Sequence, residues 1–300
     1  MYKSIVLPKA LFGCEFWNNL SSSDVLCLER AYIFFVKFMQ YLPFNSRTDI
    51  SLSMISINSI ESEIDRRKLT FLGQLCNLPI DYFEKRLLYS YKQSPSTATG
   101  FLPDIYRICY KYGLSNYIET LANCGEFPSK WSWKNRISEK VSKFERNESL
   151  KRIRNDILLR DYLTINNSDQ PLPIWLLSRR NSTLSKQCHS AVYLLSKMFL
   201  LPYNAVCDKC GLIINNITEH LLLYCLENDS KRRYLWCKLI EQFGVDTFYK
   251  LIEHHPREQL MLLFSGLEQI LNDEFKVERC LTIVVNSFHC MSTSNSKTWI

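Results

Sequence analysis

Cys207, Cys210, His220 and Cys225 constrain this chain more than any other feature. They read Cys-x2-Cys-x9-His-x4-Cys through the segment CDKCGLIINNITEHLLLYC. Three soft thiolates and one imidazole in so short a stretch make a complete tetrahedral ligand set for zinc. The Cys-x2-Cys pair reads as a tight turn that aims two sulfurs at one point. The His-x4-Cys end reads as the first turns of a helix, where nearby residues share a face. Four protein ligands leave no open coordination position, so zinc held here is structural and not catalytic. The competing explanation is chance clustering in a chain with 12 cysteines. Chance rarely gives a close pair followed by a spaced second pair.

The rest of the sequence reads as mainly α and multi-helical. At 300 residues and 46 % hydrophobic, the chain is long and apolar enough for a real core in one large or two modest domains. Only 8 glycines occur, which argues against an all-β protein and against a phosphate-cradling loop. Apolar residues at 25, 26, 28, 32, 33, 35, 36 and 39 predict a first long helix, with Ser21, Ser22, Ser23 and Asp24 as caps. A second is predicted over 55–76, with Ile60, Ile64, Leu69, Leu72 and Leu75 inward and Glu61, Asp65, Arg66 and Lys68 outward. A third runs through 81–93. QSPSTATG, residues 93–100, breaks the pattern and marks a boundary. Two short helices follow, separated at Gly113.

Beyond Pro128 comes one long basic amphipathic helix, or two with a break near Asn147. Ile137, Val141, Phe144, Leu150, Ile153 and Ile157 mark its buried stripe. The loop NNSDQPLP leads to IWLLSRR and a helix over 185–201, ended by Pro202. Helices over 230–243, 256–272 and 274–291 close the chain, with Pro256 in the first turn of the middle one. The domain organisation read from these breaks is 1–95, 96–202, 203–228 for the Cys–His segment, and 229–300.

The net charge of +7 is localised. Residues 130–189 carry all the excess, and basic and acidic residues balance elsewhere. Lys134, Arg136, Lys140, Lys143, Lys151, Arg152, Arg154, Arg179 and Arg180 are the candidate contacts for a polyanion, that is, for RNA or DNA. The alternative is a solvated helix face with no partner. Trp131 and Trp133, at the mouth of this region, read either as a hydrophobic anchor at a helix start or as a base-stacking pair.

Catalytic patterns are missing. There is no adjacent Asp-Asp pair, no Gly-x4-Gly-Lys-Ser/Thr loop and no Gly-x-Gly-x-x-Gly. Glu253-His254-His255-Pro256 looks like a metal site but lacks a second His four residues on, and Pro256 reads as a helix start. His189, beside Cys188, is a competing zinc ligand in principle, but both lie well before Cys207, across a predicted helix. No catalytic residue and no small-molecule substrate are read from the chain. No secretory signal is visible at the N-terminus. The longest apolar stretches, AYIFFVKFMQYL and SAVYLLSKMFLL, are short and contain Lys. An intracellular place, nucleus or cytoplasm, with reduced thiols and no membrane is expected; secretion is not.

Several segments taken in order resemble the C-terminal portion of non-LTR (LINE-type) retrotransposon reverse transcriptase polyproteins. The first is LPKALFGCEFW, through Pro8, Leu11, Phe12, Gly13, Cys14, Glu15 and Trp17. Next comes the helix with Leu28, Glu29, Lys37 and Gln40, closing on Leu42-Pro43. IDRRKLTFLGQL follows, with Ile64, Asp65, Lys68, Leu69 and Leu72. FPSKWSWK adds Phe127, Pro128, Trp133 and Lys134, and the Cys–His segment adds Glu219-His220 and Cys225. The resemblance covers nearly the whole chain. It implies thumb-like helices, a helical connector and a zinc knuckle that together grip template–primer or target-site nucleic acid. The polymerase palm of that family, with its aspartates, would precede residue 1, so polymerisation by this chain alone is not expected. A helical protein-interaction scaffold with a structural zinc is the other reading.

Overall fold

A computed structural model describes residues 6–18, 20–90, 100–164, 173–199 and 205–293. The fold is mainly α. The only strands among the described residues are the two-residue pair Ala205–Val206 and Ile213–Ile214. The boundary read at 93–100, the loop at 166–173 and Pro202 lie almost entirely outside the described residues. No described helix is long and apolar enough to cross a membrane. The chain divides into two compact units: Met1–Tyr32 with Asn58–Glu148, and Ile33–Ile57 with Ser149–Ile300.

In the first unit, the helices Ile60–Cys76, Phe101–Lys111 and Ser115–Cys124 and the start of Lys130–Asn155 share one apolar core. Leu69, Leu72, Ile105, Ile108, Leu114, Trp133, Ile137 and Val141 form its centre. The first long helix, Ser22–Met39, opens with a capping box. Asp24 accepts from the Ser21 backbone N–H at 3.0 Å, and Ser21 Oγ accepts from the Asp24 N–H at 3.2 Å. The second helix starts at Ile60 and not at 55. Ser59 caps it by accepting from the Ser62 N–H at 3.3 Å, and Ser56 just before takes a left-handed φ of 49°.

Helical periodicity placed Asp65 and Lys68 on the outer face; the structure buries both, at 3 % exposure each. Each is paired. Lys68 Nζ donates to Asp104 and, at 2.6 Å, to the Trp17 carbonyl. Asp65 accepts from Lys111 Nζ and from the Tyr112 hydroxyl, both at 2.9 Å. Glu145 accepts from Ser59 Oγ at 2.9 Å and from Ser62 Oγ. A charge goes inside a fold only when partners replace its water, and here they do.

Trp133 settles the choice between anchor and stacking residue. It is 1 % exposed, and its indole N–H donates to the Leu69 carbonyl at 2.8 Å. Trp131 is exposed. The indole lies directly over Gly73. A β-carbon there would stand 2.8 Å from Nε1 and closer still to Cδ1. Alanine in place of a mid-helix glycine normally stabilises by about 1 kcal/mol. Overpacking a filled core costs about 1–3 kcal/mol, and this overlap belongs at the upper end. Gly73→Ala is therefore expected to lower the stability of the first unit by about 2 kcal/mol. Hydrogen exchange over residues 60–76 measures it, and slower exchange in the variant would contradict the seat assigned to Trp133.

In the second unit, Pro173–Arg180, Ser185–Met198, Asp229–Phe243 and Pro256–Phe264 all pack on the terminal helix Glu274–Thr293. Val284, Val285 and Phe288 of that helix meet Leu195, Leu235 and Phe264 in the core. The helix expected over 256–272 ends at Phe264. Leu267 takes a φ of 58° and buries its side chain, and a short turn Glu268–Leu271 follows. Val245–Ile252 is an additional helix that the sequence reading did not include. Ile157, expected inside, is 74 % exposed, because the helix stops at Asn155 and a 3-10 segment Ile157–Thr164 redirects the chain. The cysteines whose side chains are described are all free thiols. Burial pushes the Cys109 and Cys280 thiols up to about 12, so they behave as small apolar side chains.

Candidate metal centre

The Cys–His segment folds as a hairpin followed by a helical turn. Ala205–Val206 pairs antiparallel with Ile213–Ile214, Ala205 opposite Ile214 and Val206 opposite Ile213. Between them the Cys-x2-Cys turn is closed by two backbone bonds. The Gly211 N–H donates to the Cys207 carbonyl and the Cys207 N–H to the Leu212 carbonyl, both at 2.8 Å. Gly211 has a φ of 74°, a conformation that β-carbons disfavour. The turn also aims the Lys209 and Cys210 backbone N–H groups at the Cys207 sulfur. Asn216 then caps the next turn, accepting from the Glu219 N–H at 3.1 Å.

The His-x4-Cys spacing predicts ordinary helix at His220. The structure has a π-helical stretch, His220–Tyr224, closed by the Cys225 N–H donating to the His220 carbonyl at 2.7 Å. The five-residue separation explains it. In an α-helix, residues five apart point about 140° away from one another. The wider π turn brings them back toward one side, as π segments at functional sites commonly do.

The sulfurs of Cys207, Cys210 and Cys225 and a ring nitrogen of His220 all lie within 4.8 Å of one another. His220 Nε2 stands 3.1 Å from Cys210 Sγ. Bonds of about 2.3 Å to sulfur and 2.0–2.1 Å to nitrogen place tetrahedral ligand atoms roughly 3.5–3.8 Å apart, so this group can hold a metal ion. Cys207, His220 and Cys225 are buried and Cys210 is half-buried. Burial alone raises the Cys207 thiol, but the N–H groups of Cys210 and Lys209 and the neighbouring thiols outweigh it and lower its pKa. Burial, then the Cys207 charge, raises Cys225. Burial, then Arg232, lowers His220, which keeps the imidazole neutral as a ligand must be.

Residues that the sequence reading did not single out fix the centre to its unit. Thr218, fully buried, donates to the Leu194 carbonyl at 3.0 Å. Asn228, also fully buried, donates to the carbonyls of Leu221 at 2.9 Å and Met291 at 3.3 Å. Lys209 donates to Asn228 Oδ1 at 3.1 Å and to the Met291 carbonyl. Arg232 reaches the Cys225 carbonyl at 3.3 Å. The Asn216-x-x-Glu219 spacing is a capping signal that marks the helical turn from sequence. Nothing local marks Thr218 or Asn228.

The candidate nucleic-acid contacts fall into three groups. Lys134, Arg136, Lys140, Lys143, Lys151, Arg152 and Arg154 are exposed on the single helix Lys130–Asn155. Among the described residues Lys134, Lys140, Lys143 and Arg154 have no hydrogen-bonding or ionic partner. Arg136 donates to the Tyr117 hydroxyl and stacks on that ring, and Lys151 is partnered as well. Arg152 pairs with Asp49 at 2.8 Å, and Arg180 with Glu274 at 2.7 Å and Glu278 at 2.8 Å. The Arg179 side chain lies outside the described ones. His255, in the Glu-His-His-Pro run, caps the Pro256–Phe264 helix, and His254 stands 3.4 Å from Glu258. No family model, no curated protein and no solved structure matches the chain.

Proposed function

We propose that this chain binds RNA or DNA, with zinc at the Cys207–Cys210–His220–Cys225 centre. The wider context we propose is the thumb, connector and knuckle portion of a LINE-type reverse transcriptase polyprotein. The observation that carries the binding reading is the register of the Lys130–Asn155 helix. Arg136, Lys140 and Lys143 follow the i, i+4, i+7 spacing of one helix face, and Lys151 and Arg154 continue it. From 136 to 154 this row rises about 27 Å. Glu139 borders it, but Glu145 is turned inward to Ser59 and Ser62, which leaves the outer row strongly basic. Lys140, Lys143 and Arg154 of this row have no ionic partner among the described residues, which suits a phosphate backbone. Lys and Arg there set position along the strand and carry no sequence reading of their own. The zinc holds the hairpin and π turn in place and has no open position for chemistry.

Each phosphate contact released lowers the dependence of log affinity on log salt by about one unit. Replacing Lys140, Lys143 and Arg154 together with alanine is expected to reduce that slope by about three and to weaken binding at low salt. Fluorescence anisotropy with a labelled RNA–DNA hybrid across a salt series measures both. A salt-independent affinity, or an unchanged slope in the triple variant, would sink the reading in favour of a helical scaffold that meets an acidic protein.

A further inference from the structure

The end of the Ser22–Met39 helix carries rings that the core does not use. Over 33–44 Val36 and Leu42 are buried and Ile33 and Met39 half-buried. The large exposed side chains there are all aromatic: Phe34, Phe38, Tyr41 and Phe44, from 56 % to 76 % exposed. Phe34 and Phe38, one helical turn apart, lie nearly parallel, with centroids 6.5 Å apart and 15° between planes. Phe44 leans on Phe34 at 6.1 Å.

The rings are held in place. Lys37 Nζ donates to the Phe44 carbonyl at 3.0 Å and lies 6.0 Å from its ring centroid. Gln40, buried, donates to the Ser51 carbonyl at 2.8 Å and ties down the short helix Thr48–Ser53. Tyr41 sits at a left-handed φ of 54° with its ring against the edge of His189. A fixed, contiguous apolar surface on the outside of a protein marks a contact site.

Charge and composition say what kind. Lys37 is held under the rings with no carboxylate partner among the described residues, and burial alone lowers its pKa. Between Arg30 and Arg47 the sequence contains no Asp or Glu. A surface whose large exposed side chains are all rings, beside an ammonium with no carboxylate partner among the described residues, fits a flat anionic partner better than an aliphatic one. Every nucleobase has a π face, and stacking on an aromatic side chain is insensitive to which base it is.

We propose that Phe34, Phe38 and Phe44 form a stacking platform for unpaired bases, so that this unit takes single-stranded nucleic acid. The proposal rests on the nucleic-acid reading above and narrows it to a strand whose bases are free.

The test uses the whole chain and two probes: an oligothymidylate, and an abasic oligomer with the same number of phosphates. The protein is expected to prefer the base-bearing strand by about tenfold or more. Phe34→Leu with Phe38→Leu keeps an apolar surface but removes two π faces. That variant should lose the preference while its affinity for the abasic strand and its salt slope stay unchanged. Phe38→Tyr, which retains the π face, should keep the preference. Binding of both strands with no preference overturns the platform and leaves the phosphate-binding reading standing, whereas binding of neither overturns both. Preference that survives in the double leucine variant, or is lost in Phe38→Tyr, also overturns the platform. Self-association abolished by the leucines, with no base preference, would assign the surface to a second copy of the chain.

Discussion

His220→Ala is expected to empty the metal centre and to unfold residues 205–228 while the helices around them persist. The wild-type chain should carry one zinc by elemental analysis, and the variant none. The zinc-binding energy of small Cys–His modules is about 10–16 kcal/mol, and in such modules it is folding energy, since no site exists in the unfolded chain. The hairpin here has two residues per strand and a π turn that ordinary helical hydrogen bonding does not favour. Without a metal, three thiol groups and an imidazole crowd within 4.8 Å with little else to hold them. The outer bonds are different. Thr218 to Leu194 and Asn228 to Met291 anchor the segment to helices whose cores are filled by Leu195, Val284 and Phe288. Those helices bury enough apolar surface to stand without zinc. Proteolysis separates the cases: cleavage confined to 205–228 is expected in His220→Ala. An intact, protease-resistant segment with no bound metal would show that the centre is a cluster of cysteines and not a metal site.

Much of the helical layout is legible because it depends on local pattern. Pro256 at a first turn, the Ser21–Asp24 box and the stripe from Ile137 to Val141 each follow from spacing that a few residues determine. The four ligands are legible for the same reason. What local pattern cannot carry is pairing at a distance. Asp65 and Lys68 are polar, so periodicity turns them outward; they are inside because Lys111, Tyr112 and Asp104, some 36 to 47 residues away, supply the missing bonds. The grouping of 33–57 with 149–300 in one compact unit is likewise invisible to any window of sequence. The π turn brings His220 and Cys225 toward one side in a stretch that otherwise reads as ordinary helix.

Several residues on which the proposed reverse-transcriptase context rests occupy these buried bonds. Lys37 and Gln40 hold the segment 44–51, Glu29 accepts from the Ile60 N–H at 3.1 Å, and Trp133 reaches Leu69. Asp65 and Lys68 are in the buried network, and Cys14 and Leu11 are in the core. The outer basic row of the long helix contains none of them. The motif residues therefore bear on how the helices are held, and the binding reading stands on the separate row of cations.

Lys68→Met is expected to destabilise the first unit by about 3–5 kcal/mol, the range for breaking one side of a buried ion pair. The side chains of Lys68 and Asp104 are 4 % and 8 % exposed, so water cannot take over when the ammonium is removed. Arg107 remains on Asp104 at 2.7 Å, but its own side chain is 66 % exposed and gives the weaker, screened contact. The Trp17 carbonyl loses its donor as well. Replacing both partners, Lys68→Met with Asp104→Leu, leaves no uncompensated buried charge and should recover a large part of the loss. Acid gives a second readout. Burial by itself raises the Asp104 carboxyl, yet hydrogen bonds and charge from Lys68 and Arg107 outweigh it and hold its pKa below the ordinary value. A carboxyl lowered on folding adds stability that is complete above the unfolded value, about pH 4, and is lost as pH falls through the folded one. Asp65 works against it: burial outweighs Lys111 and Tyr112 and raises its pKa, so its contribution declines as pH rises through the unfolded value and on to the folded one. Hydrogen exchange over 60–76 and 101–111 between pH 3 and pH 7 separates the two, because only the Asp104 contribution depends directly on Lys68. An acid limb in Lys68→Met as steep as in the wild type, or a double variant no more stable than the single, would remove the buried pair from the account of what holds these helices together.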